Sequence, residues 1–402
     1  MDTKSQIEIN WSGVGAVYTE EEVALVAEIM RNTKDTFTQG KYQQIFEREF
    51  CKYNGNESAF AVSSCTAALE LSAMLSRIGP GDEVIIPAHT FCATAISFAR
   101  TGARIVWADV DPETLVVTED ILVKLITSRT KVIVVVHLYG LAADMEQIME
   151  LARKHNIIVV EDCAQALGAE SRAKKVGTWG DFGCFSFHTH KNITTLGEGG
   201  VMTVKDPDMA MLVPGLRHNG LKAYDEPRER YWVPAMGNVD FDWDNVWPYN
   251  FCIGEVQCAL GTALLKRVDL LGEKRRRRAK KFIDAVKDYP ELVFQTIPSH
   301  NTTTRHLLPA KYDSYELGKT NHDFIEIMYK KYNVKMAVQY YPLYRYPMFI
   351  KAGFREADCP NTDHFFDNMV SFPFHSWMSE EQFNYMIEST IKTLNELKSY
   401  PS

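Results

Sequence analysis

Residues 131–165 read KVIVVVHLYGLAADMEQIMELARKHNIIVVEDCAQ, and the fold follows from how this stretch divides. Lys131 to His137 is a Val/Ile-rich strand, residues around Met145 to His155 read as a helix, and Ile157 to Val160 is a second short apolar strand. A strand that is apolar at nearly every position has to be covered on both faces, and a parallel sheet layered with helices does that. Upstream the alternation continues. Ser64 to Ser76 reads as a helix with Ala67, Leu69, Leu71 and Leu75 among its apolar positions, ended by Gly79-Pro80-Gly81-Asp82. Glu83 to Pro87 then reads as a strand, Ala93 to Arg100 as a helix and Arg104 to Val110 as a strand. The expectation is an α/β chain with a mainly parallel sheet flanked by helices.

The boundaries follow from composition. Residues 1–15 form an N-terminal arm, loosened by Gly13 and Gly15 before a helix opens at Thr19-Glu20-Glu21-Glu22. The large domain covers 16–285, a highly charged helix from about 262 to 289 bridges onward, and 286–402 is a smaller C-terminal α+β domain. Within the bridge, Lys274-Arg275-Arg276-Arg277-Arg278 reads as a solvated helix face. The segment 222–249 is rich in Tyr and Trp with little periodicity, which suits a subunit contact or a substrate-facing loop.

The chain has 402 residues, 46% hydrophobic and 24% charged, and 44 Lys plus Arg against 52 Asp plus Glu give a net charge of −8. This balance argues against nucleic acid as the main partner. The eight cysteines form no C-x-x-C pair and read as reduced thiols. Met1-Asp2-Thr3-Lys4 opens no signal-peptide core, and no apolar run approaches the ~20 residues that span a bilayer. A cytoplasmic protein with no membrane partner is expected.

In parallel α/β sheets ligands sit at the carboxyl ends of the strands, and Asp162 and His89 both fall at such ends. Further along, Cys184-Phe185-Ser186-Phe187-His188-Thr189-His190-Lys191 stands ahead of Gly197-Glu198-Gly199-Gly200. A strand-end acid followed by a Ser-x4-Lys turn is what pyridoxal phosphate requires. The lysine amine forms a Schiff base, and the carboxylate keeps the pyridine nitrogen protonated. Thr66 and Ala67 open a helix after a small-residue turn, so free backbone N–H groups there suit a phosphate, although simple N-capping by Ser or Thr explains the residue types equally well. None of these residues reads as a metal ligand.

Taken together these segments resemble the DegT-type sugar aminotransferases (the DegT/DnrJ/StrS group), which share the aspartate aminotransferase fold. The resemblance rests on Ser63 to Leu69, Pro87-Ala88-His89-Thr90-Phe91, Glu161-Asp162-Cys163-Ala164-Gln165-Ala166 and the Ser186 to Gly200 block. It implies a seven-stranded sheet and catalytic roles for Lys191 and Asp162. Phe91 is then expected to stack on the cofactor ring or else to be plain core, Gln165 to lie near its phenolate oxygen with Ala164 beneath, and Ser186 to join Thr66 and Ala67 at the phosphate. Some relatives are dehydratases with His in place of the lysine, but counting from Ser186 and back from Gly199 puts Lys191, not His190, at that position. The resemblance also implies a homodimer in which Asn250 reaches the partner's phosphate site; an ordinary N-cap is the alternative. His218, Tyr340 and Tyr341 resemble substrate-pocket positions, though the tyrosines could equally pack a strand edge. Family members commonly carry Arg where this chain has Cys252 and Gly where it has Cys65, which bears on the substrate. The implied reaction takes an amino group from glutamate or glutamine to a ketone, a nucleotide-linked keto-deoxysugar for surface polysaccharide or glycoconjugate synthesis. A keto-inositol or a small phosphorylated ketone such as dihydroxyacetone phosphate is the alternative acceptor.

Overall fold

The computed structural model describes residues 7–11, 15, 17–32, 34–221, 239, 241, 243, 246–313 and 318–399. Much of the expected arm 1–15, and most of the aromatic segment 222–249, therefore lie outside the described residues.

The main sheet has seven strands in the order Ala59–Val62, Gly200–Val204, Phe182–Ser186, Ile158–Asp162, Thr130–Val136, Glu83–Pro87, Arg104–Ala108. All run parallel except Gly200–Val204, which opposes both of its neighbours. Side chains alternate across a strand, and here both faces are buried. Val132 and Val134 pack with Leu71 and Phe98 on one side, whereas Ile133 and Val135 pack with Met145 and Ile148 on the other. This is why the strands read as continuous Val/Ile runs rather than as an apolar–polar alternation.

Local signals set the helix ends. Ser64 caps Cys65–Leu75, its Oγ accepting the Ala67 N–H at 3.1 Å. Met145–His155 stops at Asn156, which takes the left-handed conformation at φ 54°. Thr19 and Glu22 form a capping box on Glu20–Arg31. The strand expected to end at Val160 continues to Asp162, because Val136 and Cys184 pair with Asp162 from either side. The acid thus belongs to the ladder itself, which fixes its backbone.

The charged bridge differs from expectation. It is a shorter helix, Val268–Ala285, separated from the preceding helix Glu255–Leu265 where Arg267 turns to Glu22 at 3.0 Å and to the Val17 carbonyl. Nor is Lys274 to Arg278 a wholly solvated face, since Arg275 and Arg278 are only 3% and 6% exposed. Their forked guanidinium groups serve backbone carbonyls of distant segments: Arg305, His306 and Phe374 for Arg275, and His375, Ser376 and Met378 for Arg278. Beyond this helix a three-stranded antiparallel sheet, Leu292–Phe294, Leu308–Tyr312 and Met369–Phe372, packs with helices Asn321–Tyr332 and Glu380–Ser399. The apolar cluster between them also takes Ile9 from the arm and Phe282 from the bridging helix.

Candidate active site

A cavity of about 370 Å³ opens at the carboxyl ends of the parallel strands. Asp162 forms part of its wall and is 5% exposed. One carboxylate oxygen accepts the Thr94 hydroxyl at 2.8 Å and the other the Ala164 N–H at 3.1 Å. Burial raises its pKa above the usual carboxylate value, opposed by those two hydrogen bonds and by the charges of Lys191 and His137. A cationic ring nitrogen beside this group would offset the penalty that burial places on its charge.

Lys191 lies in the connection between the antiparallel strands Phe182–Ser186 and Gly200–Val204. The loop is closed across its neck: Phe187 N–H donates to the Gly199 carbonyl at 2.8 Å, and Thr189 N–H to that of Gly197 at 2.9 Å. Inside it, Lys191 N–H donates to the His188 carbonyl at 2.8 Å. The residue is half-buried, but the cavity walls desolvate its amine and lower the pKa, while Cys65, Asp162 and Glu198 act the other way. Two glycines permit this packing. A Cβ on Gly200 would stand 2.4 Å from the Ser64 carbonyl carbon, and one on Gly15 only 1.5 Å from the Lys191 carbonyl oxygen.

Thr66, in the first turn of the helix Cys65–Leu75, and Ser186, at the end of its strand, also line the cavity. The first N–H groups of a helix have no intrahelical acceptor, and the Ser64 hydroxyl takes only that of Ala67. The Cys65 and Thr66 amides are therefore the ones that suit a phosphate, with Ser186; Ala67, expected there, spends its amide on the cap. Cys65 itself lines the cavity.

Phe91, Ala164, Gln165 and Tyr340 line the cavity as well. Gln165 accepts the Tyr139 N–H at 2.7 Å and donates to the Tyr340 hydroxyl at 3.0 Å. Phe91 is 55% exposed, with its ring 6.1 Å from that of Tyr340. His218, Asn250 and Tyr341 do not line the cavity. His218 and Asn250 bridge to one another, and Tyr341 packs on Tyr346 and Phe366. His188 and His190 do line it.

The lining also includes residues that the sequence did not mark as site residues, among them Thr94, Arg275, His306 and His375. The last three come from beyond residue 270, and only tertiary contact brings them in. His306 holds the lysine loop through Asn192, Nδ1 to Oδ1 at 3.1 Å. His137, Glu161 and Cys163 have metal-ligand spacing. Glu161, however, accepts the N–H groups of Gly177, Trp179 and Gly180, and His137 Nε2 lies 3.0 Å from it, so these groups clamp the strand end.

The residues fit pyridoxal phosphate: an enclosed amine, a buried acid held by two donors, and a glycine-backed helix start for a phosphate. Comparison with known proteins agrees. The DegT/DnrJ/EryC1/StrS aminotransferase family model matches residues 17–390. The spore coat polysaccharide biosynthesis protein SpsC of Bacillus subtilis (strain 168) is 32% identical over 372 residues, 92% of this chain and 93% of that one. The UDP-N-acetyl-3-dehydro-alpha-D-glucosamine 3-aminotransferase of Acidithiobacillus ferrooxidans is 31% identical, covering 86% of this chain and 87% of its own. Among solved structures, the putative sugar aminotransferase Spr1654 from Streptococcus pneumoniae in its PLP form superposes with a TM-score of 0.84 at 26% identity, over 97% of this chain and 100% of that one. The chain belongs to the DegT/DnrJ/EryC1/StrS aminotransferase family and is a pyridoxal-phosphate-dependent transaminase.

Proposed function

We propose that this transaminase takes an amino group from glutamate or glutamine and delivers it to a nucleotide-linked keto-deoxysugar, as a homodimer, in surface polysaccharide or glycoconjugate synthesis. The observation that carries the reading is the pairing in one cavity of the desolvated Lys191 amine with the buried, doubly hydrogen-bonded Asp162 carboxylate. The nature of the acceptor is supported by the relatives, one named for a UDP-linked 3-dehydro sugar and one for a coat polysaccharide.

When bound, pyridoxal phosphate supplies an electrophilic carbon for the amine and an electron sink for the donor's Cα–H bond. The chain's own residues do the rest. Lys191 Nζ would hold the cofactor and, when free, would take the proton from the donor Cα; the lowered pKa of the amine favours the neutral base this needs. Asp162 would keep a proton on the cofactor's ring nitrogen. The Cys65 and Thr66 amides, with Ser186, would hold the cofactor's phosphate. Asn250, exposed and away from its own chain's cavity, is assigned to the partner's phosphate site. No described helix is long and apolar enough to cross a membrane.

The test is a two-stage absorbance experiment on the holoenzyme. L-Glutamate or L-glutamine should convert the lysine-bound cofactor to its amine form, and one member of a panel of UDP-, GDP- and dTDP-linked keto sugars should reverse the change. A panel that leaves the amine form untouched, with turnover on a keto-inositol instead, overturns the nucleotide-sugar assignment. Lys191→Ala should show neither stage.

A further inference from the structure

Arg275 has a buried charge that the fold does not balance. It is 3% exposed, and among the described residues no carboxylate pairs with it. The contrast with Arg278, one turn on, is direct: that group reaches Glu380 at 2.9 Å. Arg275 Nε donates to the Arg305 carbonyl at 2.8 Å, and Nη2 donates to the carbonyls of His306 and Phe374, the latter at 2.8 Å. These bonds use one edge of the fork. Nη1 is left over on a residue that lines the cavity. Burial and the nearby Arg278 both work against the charge, and a buried cation without a counterion is costly.

The surroundings add no competing charge. His306 and His375 flank the guanidinium, and burial holds both towards the neutral form. The Phe374 ring lies 4.9 Å beneath it. Of the acids in the cavity wall, Asp162 is held by Thr94 and Ala164, and Glu198 faces His188 at 3.7 Å. The position also matters. Lys191, His306 and Arg275 line the same cavity.

We propose that Arg275 receives the carboxylate of the amino donor, making this wall of the cavity a carboxylate subsite. The inference rests on the donor half of the proposed reaction. In an amino acid the α-carboxylate is attached to the carbon that Lys191 deprotonates, so a cation in the wall of the same cavity is placed to receive it. In a nucleotide-linked keto sugar the diphosphate is carried on a different ring carbon from the ketone, and so stands further from the reacting carbon. The Nη1 group left over can donate a charge-assisted hydrogen bond to a carboxylate oxygen.

Glutarate serves as an unreactive dicarboxylate probe and UDP as the phosphate probe, each titrated into holoenzyme and read by the absorbance of the lysine-bound cofactor or by calorimetry. Arg275→Gln should weaken glutarate binding and raise the half-saturating L-glutamate by about tenfold or more, with the UDP affinity unchanged. Arg275→Lys, which keeps the charge and loses the fork, should fall between and provides the measurement if the glutamine variant does not fold. Arg278→Gln removes a comparable set of carbonyl contacts outside the cavity and should leave both probes unaffected. Glutarate binding that ignores Arg275, or that falls equally in Arg278→Gln, overturns the proposal. So does a loss confined to UDP, which would assign the guanidinium to phosphate. If glutarate binds through Arg275 yet wild-type protein does not react with glutamate or glutamine, the carboxylate subsite stands and the identity of the donor fails.

Discussion

Removing one buried hydroxyl should slow the donor half-reaction without touching the lysine. The perturbation is Thr94→Val, which keeps the side chain's shape and deletes the oxygen. Thr94 is 1% exposed and donates to Asp162 at 2.8 Å, with the Thr90 hydroxyl 3.2 Å behind it. The other carboxylate oxygen already has its donor in Ala164, so nothing in the wall replaces the lost bond. A hydrogen bond to an ionised group contributes about 1.5–3 kcal/mol. If that stabilisation acts on the charged state of Asp162 and through it on the protonated ring, the rate falls roughly 10- to 150-fold. The sign follows from the electrostatics. Losing a donor to the ionised form raises the Asp162 pKa further, in the same direction as burial, and weakens its hold on the ring proton. The assay is the rate of cofactor conversion by saturating L-glutamate, with the pH dependence of the lysine-bound cofactor's absorbance measured alongside. Thr94→Ser restores the hydroxyl and should restore both. A Thr94→Val enzyme with wild-type rate and an unchanged pH profile refutes the reasoning.

Gly200→Ala places a Cβ 2.4 Å from the Ser64 carbonyl carbon and 2.7 Å from the Cys65 amide, both backbone atoms that cannot swing aside. Overpacking of this kind costs about 1–3 kcal/mol, so a lowered melting temperature and weaker retention of the cofactor are expected on dialysis; unaltered values would mean that the turn yields freely. His89 is fully buried against the Tyr139 hydroxyl at 2.7 Å, and burial lowers its pKa to about 4 from 6.5. Between those values the unfolded chain binds the extra proton, so stability is lost as the pH falls from 6.5 towards 4, by about 3 kcal/mol in all. Denaturant melts across that range should show the slope, and His89→Gln should flatten it; an equal slope in the variant assigns it elsewhere. Asn250 can be tested by complementation. If it serves the partner's site, mixed dimers of Lys191→Ala and Asn250→Ala chains contain one intact site and regain activity, whereas a role within its own chain predicts no recovery.

What the sequence makes visible depends on whether a residue's constraint is local. The strand Thr130–Val136 and the helix Met145–His155 declare themselves because burial on both faces, and a stop at Asn156, act on neighbouring residues. Asp162 and Lys191 are legible for a related reason: the end of a strand and the closed loop after Ser186 are short-range features, and the cofactor chemistry demands those two residue types. Thr94 shows where this fails, since a threonine early in the helix Ala93–Ala99 looks like any helix-start residue until Asp162 is brought to its hydroxyl. Arg275 shows it more sharply. Inside a run of five cations it has every mark of a solvated face, and only the approach of residues 305, 306 and 374 turns it inward. Arg276, beside it, keeps partial exposure with the same residue type and the same helix propensity. The difference lies in which face of Val268–Ala285 meets the second sheet, and that contact is made by Ala279 and Phe282. A charge pattern read along one helix therefore cannot separate a solubilising arginine from a functional one, but the apolar residues one and two turns away can. Ala279 stands four residues from Arg275 and Phe282 seven, the spacing of a single helix face, so the inward stripe was present in the sequence beneath the charges.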